Sequence, residues 1–403
     1  MTSVRQELEV VVVGGGPAGL TVAIALAAAN VPTVLVAGRP RLPDNRTTAL
    51  LGGSVTALET LRVWEKCRDH AAPFRAIRLI DDTARLLRAP EVVFEASEIG
   101  IPAFGHTIEN RFLLAAMVGR ARELASLTVM EDDAARIEVD DDAVRVHLDG
   151  GRSVAARLAV GADGRRSLCR TAAGVETDGW RYPQTALTFN LGHSRPHDNT
   201  STEFHTESGP FTLVPLPGLR SSLVFVLASE DADRVATLPA DEMAAEIERR
   251  SHSILGKITL ENGYGAFPLA VEVARSLGAG RVALVGEAAH VLPPIGAQGL
   301  NLGLRDAATI SELVVAAHRD GRDVGGADVT SRYERMRRAD VSTRALAVDL
   351  FNRSLLSDFL PVQGMRGLGL SLMQRIGPLR RAAMREGVTP AASQPRLMRG
   401  EAL

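Results

Sequence analysis

The hydrophobic pattern begins with Glu9–Val13, a β-branched run of the kind that forms a strand covered on both faces. It breaks into Gly14-Gly15-Gly16-Pro17-Ala18-Gly19. Leu20–Ala29, rich in Ala and Leu, predicts a helix stopped by Asn30 and Pro32, and Thr33–Val36 predicts a second strand. The opening is therefore one βαβ unit. Leu61–Glu98 is less regular, with strands expected at Phe74–Ile80 and Val92–Phe94, and Arg111–Ser126 has the spacing of an amphipathic helix. Leu127–Ile137 and Ala143–Leu148 predict strands around Asp140-Asp141-Asp142, read as a solvated hairpin tip. Leu158–Gly161 is a further buried strand running into Asp163-Gly164. From about Gly174 to Leu269, alternating runs (Thr185–Leu191, Phe211–Val214, Ser222–Ala228) predict a mostly antiparallel sheet, with Asp241–Arg250 an intervening helix. The α/β pattern resumes at Arg281–Val285, followed by a second glycine-rich turn and a helix across Asn301–His318. Gly321–Asp328 reads as a linker, and the remainder as Arg-rich helix.

This order predicts an α/β protein: a doubly wound, Rossmann-like cofactor-binding domain, an inserted mostly antiparallel sheet domain for substrate, and C-terminal helices. The expected boundaries are 1–75, 100–175 and 275–330 for the discontinuous cofactor domain, 76–99 and 176–274 for the substrate domain, and 331–403 for the helical region. A chain of 403 residues accommodates two to three domains at about 150 residues each.

Composition narrows the function classes. With 45% hydrophobic and 23% charged residues the chain is not intrinsically disordered. A net charge of 46 minus 48, or −2, with no long block of one sign, disfavours a general nucleic-acid binder. Cys67 and Cys169 stand alone, so neither a disulfide framework nor a zinc site is expected, and no other metal centre. Met1–Leu8 has no signal-peptide character, and no apolar run reaches the roughly 18 residues of a membrane-spanning helix. The expected location is cytoplasmic, with the inner face of the membrane left open.

Gly14, Gly16 and Gly19 fit the GxGxxG pattern between strand and helix. Gly14 permits the turn, Gly16 lets the backbone approach a pyrophosphate, and Gly19 lets helix and strand pack. The helix N-terminus then holds phosphate charge. An acid is expected at the end of the second strand to bind a ribose, but Ala37 stands there, followed by Gly38 and Arg39. Gly286-Glu287-Ala288-Ala289-His290, then Pro293-Pro294-Ile295-Gly296-Ala297-Gln298-Gly299-Leu300-Asn301 and on to Asp306, joins a buried strand to a proline-stiffened loop and a helix N-terminus. Such a terminus suits an electron-rich ring that becomes anionic on reduction. Together the two motifs imply FAD.

On Gly14–Gly19, on Asp163–Ser167 with Arg170, and on Gly286–Asp306, the chain resembles the flavin-dependent aromatic hydroxylases of the para-hydroxybenzoate hydroxylase class. Within them it is most similar to the ubiquinone-biosynthesis ring hydroxylases, on Arg46–Leu50, Ile108–Arg111, Glu203-Phe204, Gly209-Pro210, Val214–Pro217, Arg332–Arg335 and Arg338–Asp340. The resemblance implies that Gly14, Gly16, Ala18 and Gly19 contact the FAD pyrophosphate. Arg46, Asn110 and Arg111 would lie along the cofactor, while Asp163 and Gly164 approach the pyrophosphate and any nicotinamide nucleotide. Gly286 and Glu287 (where the family has Asp) would meet the ribityl chain, and Pro293, Gly296, Gln298, Gly299, Leu300 and Asn301 would surround the isoalloxazine ring.

The implied reaction is hydroxylation of a polyprenyl-phenol in ubiquinone biosynthesis through a flavin C4a-hydroperoxide. Molecular oxygen is the co-substrate, and NAD(P)H or a protein is the electron donor. No catalytic base is identified, and His290 reads as a packed loop histidine. Phe189, Phe204, Phe211 and Phe225 read as core or as the wall of an aromatic pocket, and His193, His197 and His205 as strand ends or pocket groups. The tail Val341–Met384 mixes apolar residues with Arg366, Arg375, Arg380, Arg381 and Arg385, which suits an anionic membrane surface, a partner from the same biosynthesis, or packing on the protein itself. Two alternatives stay open: a hydroxylase of a soluble aromatic compound, and a non-catalytic flavoprotein-like member of a biosynthetic assembly, motivated by Ala37 and Glu287.

Overall fold

The computed structural model describes residues 8–38, 46–84, 88–356, 369, 371–373, 375–388 and 394–403. Val10–Val13 is the centre of a six-stranded sheet. It pairs in parallel with Thr33–Val36 on one side and Leu158–Gly161 on the other. Leu127–Met130 and Val282–Leu284 extend the parallel ladder outward, and Gly278–Ala279 closes one edge antiparallel. Val10, Val11 and Val12 are fully buried, as helices on both faces demand. The helix Pro17–Ala28 is buried from Gly19 through Ala27 and so is apolar all round. It packs on the helices Asn110–Arg122 and Gln298–Arg319.

The strand expected at Leu127–Ile137 divides into Leu127–Met130 and Ala134–Val139, in different sheets. Glu131-Asp132-Asp133 separates them, and acidic residues are poor strand formers. Asp140–Ala143 forms the expected hairpin tip. The Gly321–Asp328 linker ends early, because the long helix Ala327–Leu356 has already begun.

Thr177–His193, Ile258–Ala274, Arg220–Ala228, Gly209–Leu216 and Thr200–Thr206 form the body of an eight-stranded, mostly antiparallel sheet. Its outer face carries Leu187, Phe189, Leu191, Phe204, Phe211, Leu213, Leu223 and Phe225, covered by Val235, Met243 and Ile247 of two amphipathic helices. The four phenylalanines are thus core residues. Its inner face packs Ala186, Val226, Leu269 and Val271 on Ala345 of the long helix and on Leu292 of the proline-rich loop. His290–Val291 pairs onto the edge of this sheet, tying the second glycine-rich turn to it.

Candidate active site

Each glycine of the first turn answers a different contact. Gly14 has φ +114, and a Cβ there would collide with the Ala162 carbonyl. At Gly19 a Cβ would collide with the Gly14 carbonyl, and at Gly15 it would lie 2.7 Å from Ala37 Cβ. Gly16 differs. Its backbone is ordinary extended chain, and a Cβ would meet nothing within 4 Å. The helix that follows has Pro17 in its first turn and no side-chain cap, so the Ala18 and Gly19 N–H groups face that open side. An uncapped N-terminus beside an open glycine fits a pyrophosphate.

Next to Ala37, where the sequence lacks the expected acid, the structure places a carboxylate from a distant part of the chain, which sequence reasoning missed. The Asp133 carboxylate lies against Gly38, within 2.7 Å of where a Cβ would be. It comes from the turn after Leu127–Met130, the parallel neighbour of Thr33–Val36. Arg39 lies outside the described residues.

Asp163 is occupied within the protein. Its carboxylate accepts from Ser167 Oγ at 2.6 Å and from the Leu168 and Cys169 amides at 2.7 and 3.1 Å, and Gly164 completes the turn at φ +77. Arg170 carries this turn to the second motif by donating to the Ala288 carbonyl at 2.9 Å. Burial pushes the thiol of neighbouring Cys169 well above its ordinary value, with the Asp163 charge adding to it, and burial pushes Cys67 up to about 11. Both thiols stay protonated.

The two glycine-rich turns meet. A Cβ on Gly286 (φ +59) would lie 3.2 Å from Ala18 Cβ, and one on Gly303 would lie 3.0 Å from Gly286 Cα. At this join Glu287 is exposed between buried neighbours and makes no hydrogen bond or ion pair among the described residues. Farther on, Pro293 is buried, and Gly296 and Ala297 take successive left-handed conformations at φ +61 and +55. The helix Gln298–Arg319 starts on Ala297 without a side-chain cap, leaving the first amides, including those of Gly299 and Leu300, bare. Asn301 is committed to backbone: it donates to the Ala49 and Ala297 carbonyls at 2.8 and 2.7 Å and accepts from the Leu51 amide at 2.9 Å. It fixes this helix to the strand Thr47–Leu51.

That strand leads back to the remaining expected residues. The Arg46 carbonyl accepts from the Asn110 amide at 2.8 Å, and the Arg46 guanidinium stands 6.0 Å from the Phe267 ring centroid. Arg111 pairs with buried Glu109 at 2.8 Å and lies over Phe112. Glu109 also receives Arg220, which makes a two-point pair with Glu261 at 2.5 and 2.7 Å. Hydrogen bonding to Arg220 holds the Glu261 carboxyl below its ordinary value.

Beneath the second corner lies a buried charge network that the sequence did not reveal. Asp306, fully buried, accepts from the Gly286 amide at 3.2 Å and from Arg337 Nε at 2.7 Å, and lies 2.6 Å from His290 Nε2. Asp340 binds Arg305 and Arg337 at 2.7 Å and Arg344 at 2.8 Å, and Arg344 reaches Gln298 Oε1 at 2.7 Å. His290 is therefore a packed, partnered group. The network holds the Gly286 turn and the Gln298 helix start to the long helix.

A family model described as an FAD binding domain matches residues 7–346. The chain is 35% identical over 402 residues to the ubiquinone hydroxylase UbiL of Rhodospirillum rubrum, covering 97% of this chain and 92% of that one. It is 31% identical over 392 residues to the 3-demethoxyubiquinol 3-hydroxylase of Escherichia coli, covering 94% and 98%. Among solved structures, the p-nitrophenol 4-monooxygenase PnpA of Pseudomonas putida has a TM-score of 0.78 at 18% identity, covering 94% of this chain and 97% of that one. Klebsiella pneumoniae HpxO, solved with FAD and uric acid, has a TM-score of 0.75 at 18% identity, covering 95% and 97%. These two structures share the fold.

Proposed function

The chain belongs to the FAD-binding-domain family and is an FAD-dependent aromatic-ring monooxygenase, and on that premise we propose that it hydroxylates a polyprenyl-phenol intermediate of ubiquinone biosynthesis. The names of the two relatives support the pathway. The observation that carries the reading is the Gly286 turn, packed between Ala18 at the start of one uncapped helix and Gly303 in the second turn of the other, since one extended cofactor satisfies both helix starts.

Bound FAD supplies the electrons that activate molecular oxygen. This chain's residues do the placing. Gly14, Gly16, Ala18 and Gly19 receive the pyrophosphate, and Arg46, Asn110 and Arg111 flank the cofactor. Asp163 and Gly164 shape the adjoining turn, and Gly286 with Glu287 faces the ribityl hydroxyls. Pro293, Gly296, Gln298, Gly299, Leu300 and Asn301 frame the ring, while Leu292 and Ala345 exclude water on the side of the sheet. The domain division expected from the sequence assigns the six-stranded sheet to cofactor and the eight-stranded sheet to substrate.

Asp133 takes the ribose role left open by Ala37. Asp133→Asn is expected to weaken FAD binding about tenfold, the low end of a charged hydrogen bond because the site is exposed. Titration of the apoprotein with FAD, read by quenching of flavin fluorescence, measures it; unchanged affinity refutes the role.

The C-terminal region supports a lipid-borne substrate in part. Leu346 and Leu350 of the long helix are 57% and 58% exposed, and Leu372, Ile376 and Leu379 are also exposed near Arg375 and Arg381. Arg380, however, pairs with Glu98 and lies over Phe94, and Met384 and Val388 pack on Phe74 and Phe104, so this end also docks on the protein itself. Phe359, Leu360, Arg366, Leu368 and Leu370 lie outside the described residues. No described helix is long and apolar enough to cross a membrane.

A strain lacking the gene is expected to accumulate a quinone precursor short of one ring hydroxyl, detected by mass spectrometry of its lipid extract. Absence of any such precursor refutes the pathway. Turnover of a water-soluble phenol by the purified protein, without lipid or detergent, favours the soluble-substrate reading instead.

A further inference from the structure

Strand side chains alternate between faces. With Leu187, Phe189, Phe211 and Phe225 turned to the covering helices, Thr188, Val224 and Thr212 turn to the inner face, beside Ala186 and Val226 on Leu292 of the proline-rich loop. Thr212 pairs across from Val224, and Glu203 across from Thr212. Glu203 is thus two strand spacings, about 10 Å, from Val224, with Thr212 between them on the same face.

Three other polar groups of this face are bonded within the protein. Asn190 meets Thr47 and Glu109, Gln184 meets Ser208 and Asn352, and Tyr182 meets Asp349. Glu203 is held but not used up. His205 Nε2 lies 2.9 Å from its Oε1, and Thr212 donates to its Oε2 at 3.2 Å, while the side chain keeps 15% exposure. A carboxylate accepts about four hydrogen bonds, so capacity remains. His205 is itself buried, fixed edge-on by Phe351 of the long helix with ring centroids 5.3 Å apart. Asp81 is its neighbour on the adjoining strand. An ionisable group on an apolar face is costly unless partnered, and here its partners leave one side open.

We infer that Glu203 receives the ring hydroxyl of the substrate, with His205 and Thr212 as its positioning residues; this rests on the hydroxylase reading above. The phenolic O–H donates to the carboxylate. When the proton passes to Glu203, the O–H bond breaks and its electron pair stays on the ring oxygen. Electron density then rises at the ring carbons ortho and para to it, where one atom of molecular oxygen is taken up; two electrons supplied through bound FAD and two protons turn the other atom into water, and the attacked carbon releases its hydrogen as a proton, which restores the aromatic ring. The ring oxygen recovers the proton from Glu203 as product leaves.

The test uses the FAD-loaded protein, a short-chain 2-alkylphenol and its methyl ether, with dissociation constants read from perturbation of the flavin absorbance. Wild type is expected to prefer the phenol at least about tenfold, the contribution of one hydrogen bond to a charged acceptor. Glu203→Leu is expected to abolish that preference without changing flavin content or ether binding. Glu203→Gln, which preserves packing, should bind the phenol but hydroxylate it at least about tenfold more slowly, which covers the case of a Leu variant that does not fold. A wild type that prefers the phenol, with a Leu variant of unchanged preference or a Gln variant of unchanged rate, overturns the inference alone. A wild type that binds both compounds equally also overturns this inference alone, whereas one that binds neither removes the polyprenyl-phenol reading and this inference with it.

Discussion

Gly16→Val is expected to give a folded, colourless protein. The backbone at Gly16 has φ −73 and ψ 173, which any residue adopts, and a Cβ there meets nothing within 4 Å. The substitution should therefore change stability by less than about 0.5 kcal/mol. The same absence of neighbours marks the space a pyrophosphate needs, and valine fills it with three carbons directly before the bare Ala18 and Gly19 amides. FAD affinity should drop at least about 100-fold, or 2.8 kcal/mol. Absorbance of the purified protein near the flavin band, with thermal unfolding of the apoprotein as the control for folding, reads both halves. Gly14→Val serves as contrast: at φ +114, with its Cβ driven into the Ala162 carbonyl, it should cost the fold itself. A Gly16→Val protein that stays yellow ends the assignment of this turn to the cofactor.

Asp306→Ala is expected to destabilise the protein by about 3–5 kcal/mol, the cost of stranding a buried charge. Arg337 is only 3% exposed and would keep Asp340 but lose its Nε partner, while the Gly286 amide and His290 would lose theirs as well. Urea unfolding at neutral pH measures it, and a variant within about 1 kcal/mol of wild type contradicts it. The pH dependence follows from the same groups. Burial by itself raises the Asp306 and Asp340 carboxyls, but the partners held against them, His290 and Arg337 for one and Arg337 and Arg305 for the other, bring both below the ordinary value. A carboxyl depressed in the folded state contributes stability above its unfolded pKa of about 3.9 and loses it as the pH falls through the folded value. Stability should therefore decline below about pH 4, and less steeply in Asp306→Asn than in wild type.

The legibility of this chain varied with the cause of each element. Val10–Val13, Thr33–Val36 and Leu158–Gly161 were readable because burial on both faces leaves an unbroken β-branched run. The 17-residue strands Thr177–His193 and Ile258–Ala274 were readable only in part. Pro183, Gly179 and Gly192 interrupt the first, Gly263 and Gly265 interrupt the second, and their pairing shifts register between Arg181 and Thr185 and between Phe189 and Leu191. The glycine motifs announced the site because glycine types are dictated by backbone contacts, as at Gly14 and Gly19. Asp133 was hidden: its place beside Gly38 follows from parallel pairing of strands distant in sequence, which one chain read alone does not display. Arg337 and Asp340 are three residues apart on a helix, a spacing that an exposed pair shares, and only packing against Asp306 shows that they are interior.

The central sheet also governs how the chain is made. Val10 aligns with Leu158, and Ala159 with Val282, so neighbours in the ladder are contributed by widely separated thirds of the polypeptide. Closing such loops costs entropy before any contact rewards it, and distant parallel pairing slows folding. During synthesis the valine strand meets Thr33–Val36 soon after it emerges, but its other side waits for about 145 further residues until Leu158–Gly161 appears, and that strand in turn waits for about 120 more until Val282–Leu284. Holdase chaperones and slow translation at low temperature should raise the yield of native enzyme, and fragments cut anywhere between the partner strands should aggregate rather than fold.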